Sequence, residues 1–286
     1  MLAIVGTVPD LHFPLVAGEA KLQGGTIRVG GRSAPVNRGT PALIASAIRT
    51  LEVLGRPNPY VYLAGDIGLG EGSRKIYDLL SRELPKADWS VLVFHYLQPD
   101  VDWHNRVLFA AAEMHRRPTL IADAGFMYAA KMSGMAEEYD LFTPDAGELA
   151  FLADDQAPHP FYTRGFILHD EQKVPDLITR AYHYKNAARL LLVKGKVDYV
   201  AGAQGVIATI DHPAEEALEP IGGTGDTLTG LVAALSEGGE ALDQAAIRAA
   251  HANRIAGCLA APTPRTQVGD IIEQIPQAVV QVLESK

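Results

Sequence analysis

Residues 222–230 of the chain are Gly-Gly-Thr-Gly-Asp-Thr-Leu-Thr-Gly, and the apolar segment LVAALSE follows directly at 231–237. A glycine-rich turn that opens a helix presents successive backbone N–H groups, and the positive end of the helix strengthens their attraction for an anion such as phosphate. Asp226 lies inside this turn, where its negative charge opposes anion binding. We interpret Asp226 as a catalytic base that accepts the proton of a hydroxyl group attacking a phosphoryl group. The alternative is an ordinary strand-to-helix turn in which Asp226 caps the helix.

Composition limits the classes of function. The 286 residues carry a net charge of −9 and 48% of them are hydrophobic, which suits one domain over residues 1–286. The acidic balance and the lack of a Lys/Arg run argue against nucleic acid as a partner. No apolar stretch approaches the roughly 20 residues that span a bilayer, so we expect no membrane partner and a cytoplasmic location. Cys258 is the single cysteine, which excludes an internal disulfide.

Short apolar runs alternate with longer amphipathic ones, a pattern that predicts β-α units around a parallel sheet. Strands are predicted at 2–6, 60–65, 90–96, 119–123, 139–143 and 189–195. Helices are predicted at 40–55, 73–84, 103–117, 147–153, 173–186, 226–237, 242–260 and about 271–284. The first of these helices has Thr40 as its cap and Pro41 in its first turn. Residues 17–31 differ, because two short strands around Gly24-Gly25 indicate a hairpin that could serve as a lid.

Three further polar positions follow predicted strands, where open α/β sheets bind ligands. The segment TPDAGE at 143–148 places Asp145 and Glu148 at a helix start, suitable for holding Mg²⁺ beside phosphates, although the same spacing also fits simple helix capping. Lys194, in Val-Lys-Gly, would offset phosphate charge, with Gly195 beside it. Asp123 could hydrogen-bond a substrate hydroxyl or cap a turn.

These segments together resemble the ribokinase-like superfamily, whose fold is a three-layer α/β/α sandwich with a mostly parallel central sheet. The segments TPDAGE, VKG and GGTGDTL, within roughly residues 119–260, resemble ADP- or ATP-dependent NAD(P)H-hydrate dehydratases. In that family the nucleotide phosphorylates the hydroxyl of the hydrated nicotinamide ring, and loss of phosphate restores the double bond. The resemblance implies Asp226 as catalytic base, Gly223, Thr224 and Gly225 as anion hole, and Lys194 and Gly195 in the nucleotide site. It also implies ATP or ADP and Mg²⁺ as cofactors.

The N-terminal half is closer to pfkB-type sugar kinases. Residues 29–55 and 63–72 resemble their substrate segment, which implies that Asn37 and Asp66 contact the substrate. Asp145 and Ala146 also replace the His and Pro usual in the dehydratases, and Asp-x-x-Glu is close to the Asn-x-x-Glu of ribokinase-type enzymes. The substrate is therefore either NAD(P)H hydrate or a sugar or vitamin-like alcohol, and both reactions would use the same site.

Two other classes of protein stay open at this point. The glycine-rich turn at 65–72 follows a strand as a dinucleotide-binding loop would, but its spacing departs from GxGxxG and the next strand ends in His95-Tyr96 instead of an acidic residue. A nucleotide sensor without catalytic activity is the other alternative, favoured by the altered TPDAGE segment. An exposed edge of the hairpin at 17–31 leaves a homo-oligomer open as well.

Overall fold

The computed structural model describes residues 1–160 and 174–285, which contain twelve β-strands and ten α-helices. The strands are β1 (Leu2–Val8), β2 (Val16–Glu19), β3 (Lys21–Gln23), β4 (Thr26–Val29), β5 (Arg32–Pro35), β6 (Tyr60–Gly65), β7 (Val91–His95), β8 (Thr119–Ala122), β9 (Leu141–Phe142), β10 (Leu190–Val193), β11 (Asp198–Gly202) and β12 (Gly205–Ile210). The helices are α1 (Gly39–Val53), α2 (Glu71–Glu83), α3 (Val101–Ala112), α4 (Gly125–Met132), α5 (Ala146–Ala153), α6 (Val174–His183), α7 (Thr224–Glu237), α8 (Leu242–Leu259), α9 (Val268–Ile272) and α10 (Ile275–Glu284).

Nine strands form the central sheet in the order β12-β11-β10-β9-β8-β7-β1-β6-β2. The six strands from β10 to β6 in this order are parallel to one another. At the edges, β2 pairs antiparallel with β6, β11 pairs antiparallel with β10, and β12 pairs antiparallel with β11. All seven residues of β1 are buried, as expected for a parallel strand that is covered on both faces. The predicted mostly parallel α/β sheet is therefore confirmed.

Alternate residues of the central strands face two separate cores. Ile4 and Val93 belong to a core with α1 and α7–α10, and Val5 and Phe94 belong to a core with α2–α6. The two helical layers on opposite faces of the sheet make the predicted three-layer sandwich. None of the helices in the described residues is long and apolar enough to cross a membrane.

The segment predicted as a hairpin at 17–31 forms a different structure. Residues 16–19 form β2 and pair with β6 in the main sheet, and residues 21–35 form a separate sheet of three antiparallel strands, β3-β4-β5. Ile27 and Val29 are buried in the core beside α1, because their alternation places both on the inner face of β4.

Other boundaries also differ from the sequence prediction. The helix predicted at 271–284 is two helices, α9 and α10, with Pro276 in the first turn of α10, where its missing N–H costs no hydrogen bond. Helix α4 and strands β11 and β12 were not predicted. The helix predicted at 173–186 starts at residue 173, which belongs to residues 161–173 and lies outside the described residues.

Candidate active site

The glycine-rich turn at 222–225 lies at the start of α7, as the sequence predicts. Gly223 precedes the helix with φ of +106°, and a Cβ at this position would lie 2.9 Å from the Val268 side chain, so the turn requires glycine. No acceptor among residues 1–160 and 174–285 pairs with the N–H groups of Gly223, Thr224, Gly225 and Asp226. The first amides of a helix have no acceptor within the helix, so these groups are able to bind an anion.

Asp226 is 6% exposed, and its carboxylate is held on both oxygens. Oδ2 accepts a hydrogen bond from the Gly39 N–H at 2.6 Å, and Oδ1 lies 3.1 Å from Nε2 of His95. Burial by itself favours the neutral acid, but the hydrogen bond from His95, the charge of Lys194 and the Gly39 N–H outweigh it and lower the pKa of Asp226. The carboxylate is therefore ionised at neutral pH, the form that can accept a proton.

Lys194 lies next to this turn but is paired with a carboxylate. Its Nζ is 2.9 and 3.0 Å from the two oxygens of Asp123, and its side chain packs on Gly225, where an added Cβ would lie 3.4 Å from Cδ of the lysine. Burial acts against the ammonium charge, but Asp123 and Glu148 outweigh burial and raise the pKa of Lys194. The lysine therefore stays charged beside the backbone amides of the turn.

Asp123 is buried and bonded to three neighbours. Its side chain is 2% exposed, and besides Lys194 it accepts hydrogen bonds from the Thr229 hydroxyl at 2.7 Å and the Ala124 N–H at 2.8 Å. The bond to Ala124 fits the alternative of a capped turn, and contact with a substrate hydroxyl stays a prediction. Asp123 also positions Lys194.

Asp145 and Glu148 form a reciprocal capping box at the start of α5, in which each side chain accepts a hydrogen bond from the backbone N–H of the other. Burial, with the charges of Asp123 and Asp145, raises the pKa of Glu148 to about 8. Such an excess of acidic groups suits a divalent cation. The described residues contain no group of three or more His, Cys, Asp or Glu side chains that could hold a metal by themselves. Mg²⁺ therefore fits here only as an ion that one or two carboxylates share with nucleotide phosphates.

The remaining predicted site residues are Asn37, Asp66 and Gly195, and they differ in exposure and in hydrogen-bond partners. Asn37 is exposed beside α1, and the neighbouring Arg38 Cα lies 3.3 Å from where a Cβ on Gly223 would be, so Asn37 borders the turn. Asp66 accepts five hydrogen bonds from residues 68–73 of its own loop, so its carboxylate holds that loop and we do not assign it to the substrate. The N–H of Gly195 donates a hydrogen bond to Oδ1 of Asp198 at 3.1 Å, and the place of Gly195 in a nucleotide site stays a prediction.

Sequence reasoning missed the residues that hold Asp226. His95 ends β7 and Tyr96 follows it, and Gly39 and Thr40 begin α1. Thr40 was predicted to cap α1, but the preceding Arg38 is in the capping position and the Thr40 hydroxyl lies 2.9 Å from Nδ1 of His95. A polar residue at the end of an otherwise apolar strand was a signal for His95.

Together these features define a class of protein. An ionised carboxylate lies next to backbone amides that have no acceptor in the part of the chain that the structure describes, with a lysine beside them, at the carboxyl ends of parallel strands. This arrangement is suited to phosphoryl transfer. The fold matches solved ribokinase-like structures. A ribokinase-like superfamily protein from Enterococcus faecalis aligns over 98% of this chain and 87% of its own, with a TM-score of 0.59 and 13% identity. Phosphofructokinase-2 from Escherichia coli aligns over 98% and 99%, with a TM-score of 0.56 and 12% identity.

The chain belongs to the NAD(P)H-hydrate dehydratase family of nucleotide-dependent enzymes, whose sequence model matches residues 98–277. The uncharacterized protein MJ1337 of Methanocaldococcus jannaschii is 40% identical over 243 residues, which cover 85% of this chain and 100% of that protein. The bifunctional NAD(P)H-hydrate repair enzyme Nnr of Pyrobaculum aerophilum is 27% identical over 96% of this chain. The chain spans about half, 54%, of that bifunctional enzyme.

Proposed function

We propose that the protein is an ATP- or ADP-dependent NAD(P)H-hydrate dehydratase. The observation that carries this proposal is the ionised carboxylate of Asp226, which is held at the entrance to a turn whose backbone amides have no acceptor in the described residues. Membership in the NAD(P)H-hydrate dehydratase family supports NAD(P)H hydrate as the substrate. A nucleotide would enter with its terminal phosphoryl group against residues 223–225, and the hydrate would approach from the side of Asn37.

In the first step the hydroxyl oxygen of the hydrate attacks the terminal phosphorus, and Asp226 takes the hydroxyl proton. The bond between that phosphorus and the bridging oxygen breaks, and the shortened nucleotide leaves. The amides at 223–225 and Lys194 would stabilise the negative charge on the transferring group. In the second step the carbon–oxygen bond of the phosphate ester breaks, a proton leaves the adjacent ring carbon, and phosphate departs as the ring double bond is restored.

Mg²⁺, when bound, would neutralise part of the polyphosphate charge. Glu148 and Asp145 would hold it, sharing it with the phosphates. The chain's own contribution is to keep these two side chains in fixed positions, which the capping box does through two backbone hydrogen bonds.

A kinase that phosphorylates a sugar or a vitamin-like alcohol is the second candidate. The observation that favours it is Asp145-Ala146, which replaces the His-Pro usual in the dehydratases at the start of α5. Such a kinase would use Asp226 and the turn in the same way. The two reactions differ only in the fate of the phosphate ester, which the kinase releases intact.

Incubation with NADH hydrate and ADP or ATP tests the choice between them. Recovery of NADH absorbance together with phosphate release supports the dehydratase, whereas phosphate transfer to an alcohol without hydrate turnover supports the kinase. Nucleotide binding with neither reaction would reject both and indicate a sensor.

The Asp226→Asn variant tests the base. We expect it to bind nucleotide normally and to lose turnover by ~100-fold or more, the scale of a lost general base. Asp243→Asn is the matched control, because Asp243 also lies in the first turn of a helix. Helix α8 follows α7 after four residues and packs against it, so Asp243 is near the far end of α7. Near-normal turnover in Asp226→Asn would refute the assignment.

A further inference from the structure

His95 is a fully buried histidine next to the carboxylate to which the proposed function assigns the chemistry. It is 0% exposed at the end of β7, and both of its ring nitrogens have partners, Nε2 with Oδ1 of Asp226 at 3.1 Å and Nδ1 with the Thr40 hydroxyl at 2.9 Å. Because an ionised carboxylate is only an acceptor, Nε2 must carry a hydrogen and donate it. The Thr40 hydroxyl can either donate to or accept from Nδ1, so this arrangement holds in both charge states of the ring.

The surrounding backbone is shaped for this arrangement. A Cβ on Gly6 of β1 would lie 2.6 Å from the Thr40 side chain and 2.7 Å from the His95 carbonyl oxygen. A residue other than glycine at position 6 would therefore push apart the threonine and the histidine. The ring of Tyr96 also stacks on that of His95, with ring centres 4.1 Å apart, and the Tyr96 carbonyl accepts a hydrogen bond from the Thr7 hydroxyl. Gly6 therefore leaves room for the contact between Thr40 and His95, and the Tyr96 ring holds one face of the imidazole.

We propose that His95 is a positioning residue for the reaction, which holds Asp226 in the orientation and the ionised state that proton acceptance requires. The inference rests on the proposed role of Asp226 as base. With Oδ2 bonded to the Gly39 N–H and Oδ1 to His95, the carboxylate cannot rotate without losing two hydrogen bonds. One lone pair on each oxygen is left for the substrate proton.

Other titratable groups also lie near His95 and this carboxylate, so the contribution of His95 must be separated from theirs. Lys194 and Tyr96 interact with Asp226, and Oδ2 of Asp123 lies 3.8 Å from Nε2 of His95. Arg38 bonds to Tyr96, and Glu148 interacts with Lys194 and Asp123. Replacing His95 leaves all of them in place. An effect is therefore caused by His95 if it appears when the imidazole donor is lost and disappears when a substituted side chain supplies a donor again.

The test compares His95→Leu, which has no donor, with His95→Gln, whose amide can donate to Asp226. His104→Leu is the control, since His104 is also a fully buried histidine and bonds to Tyr139 away from the site. Loss of a hydrogen bond to a charged group predicts a fall in kcat of ~10- to 100-fold for His95→Leu, with KM for the nucleotide unchanged. The acid limb of its pH–rate profile should move to higher pH, because Asp226 would lose the donor that favours its ionised form. His95→Gln should recover most of both quantities.

A second measurement does not need turnover. The titration of the Asp226 carboxyl carbon, followed by ¹³C NMR in the free protein and assigned with Asp226→Asn, should move to higher pH in His95→Leu and stay near wild type in His95→Gln and His104→Leu. If the wild-type protein proves inactive on every substrate, the proposed function fails and this titration alone still decides the inference. An unchanged titration in His95→Leu, or a pH–rate profile that matches the His104→Leu control, would overturn it.

Discussion

Replacement of Lys194 by methionine is the sharpest test of how the charges of the site are balanced. The substitution keeps a long apolar side chain on Gly225 but removes the ammonium group that lies 2.9 Å from Asp123. The two side chains are 13% and 2% exposed, so solvent would compensate little. Removing one partner of a buried ion pair costs about 3–5 kcal/mol. At about 2–4 °C per kcal/mol for chains of comparable size, we expect Tm to fall by roughly 6–20 °C.

The Asp123→Asn variant should cost less, although it breaks the same pair. Lys194 would keep the ionised carboxylate of Asp226 nearby, so its ammonium group is not left uncompensated. We expect a loss of about 1–3 kcal/mol, the cost of an unsatisfied hydrogen-bonding group. In Lys194→Met, by contrast, the Asp123 and Asp226 carboxylates lose the nearby ammonium charge, and the loss of stability should shrink as the pH falls and they become protonated.

Urea unfolding of the two single variants and the double variant measures these costs. The double variant should be more stable than Lys194→Met, because it no longer contains the unpaired Asp123 carboxylate. Arg82→Met is the control, since the Arg82–Asp78 pair is 67% and 55% exposed and should contribute about 0–1 kcal/mol. If Lys194→Met lost no more stability than Arg82→Met, or less than Asp123→Asn, the proposed charge balance would be wrong.

Two further predictions concern backbone geometry and pH. Gly39→Ala should lower turnover at least ~10-fold, because its Cβ would lie 3.2 Å from the Tyr96 ring. This contact would displace the N–H that holds Asp226 through a charge-assisted hydrogen bond. Gly31→Ala is the control, since Gly31 has a similar positive φ but open space around it, and it should share only the backbone cost of about 1–2 kcal/mol and keep full turnover. His104→Gln should flatten the acid dependence of stability. Burial lowers the pKa of His104 to about 4 from 6.5, so between these pH values the unfolded chain binds a proton that the folded chain does not. Wild-type stability therefore falls by up to about 3 kcal/mol as the pH drops through this window. Turnover of Gly39→Ala equal to that of Gly31→Ala, or parallel stability curves for His104→Gln and wild type, would contradict the respective explanation.

The elements that the sequence predicted well are those with strong local patterns. Strand β6 has the predicted bounds, and α7 begins within two residues of its predicted start, because apolar runs and glycine turns are local signals. Strands β11 and β12 were missed because they form an antiparallel hairpin at the sheet edge, which does not continue the alternation of strands and helices that identified the other strands. The short helix α4 follows β8 with only Asp123 and Ala124 between them, and no polar turn marks its start.

In the candidate site, too, local features were predictable from the sequence and long-range contacts were not. The turn at 222–225 and Asp226 were recognisable because their chemistry is contained in consecutive residues. The pairing of Asp226 with His95 spans 131 residues and that of Lys194 with Asp123 spans 71, and no spacing rule connects residues so far apart. The partners of Asp66 and Asp123 were not predictable for this reason: position at a strand end places a carboxylate near the site, but the tertiary structure decides which groups bond to it.

By itself the sequence determined the α/β class, the parallel core of the sheet and the helix start that carries Asp226, since backbone propensity and hydrophobic periodicity act over a few residues. Tertiary structure alone decided which carboxylates are bound by their own loop, by a lysine or by a histidine. The physical reason is that the charge state and the accessibility of a buried group depend on all the neighbours that the fold brings to it, and β1, β7, β8, β10, α1 and α7 each contribute to these contacts.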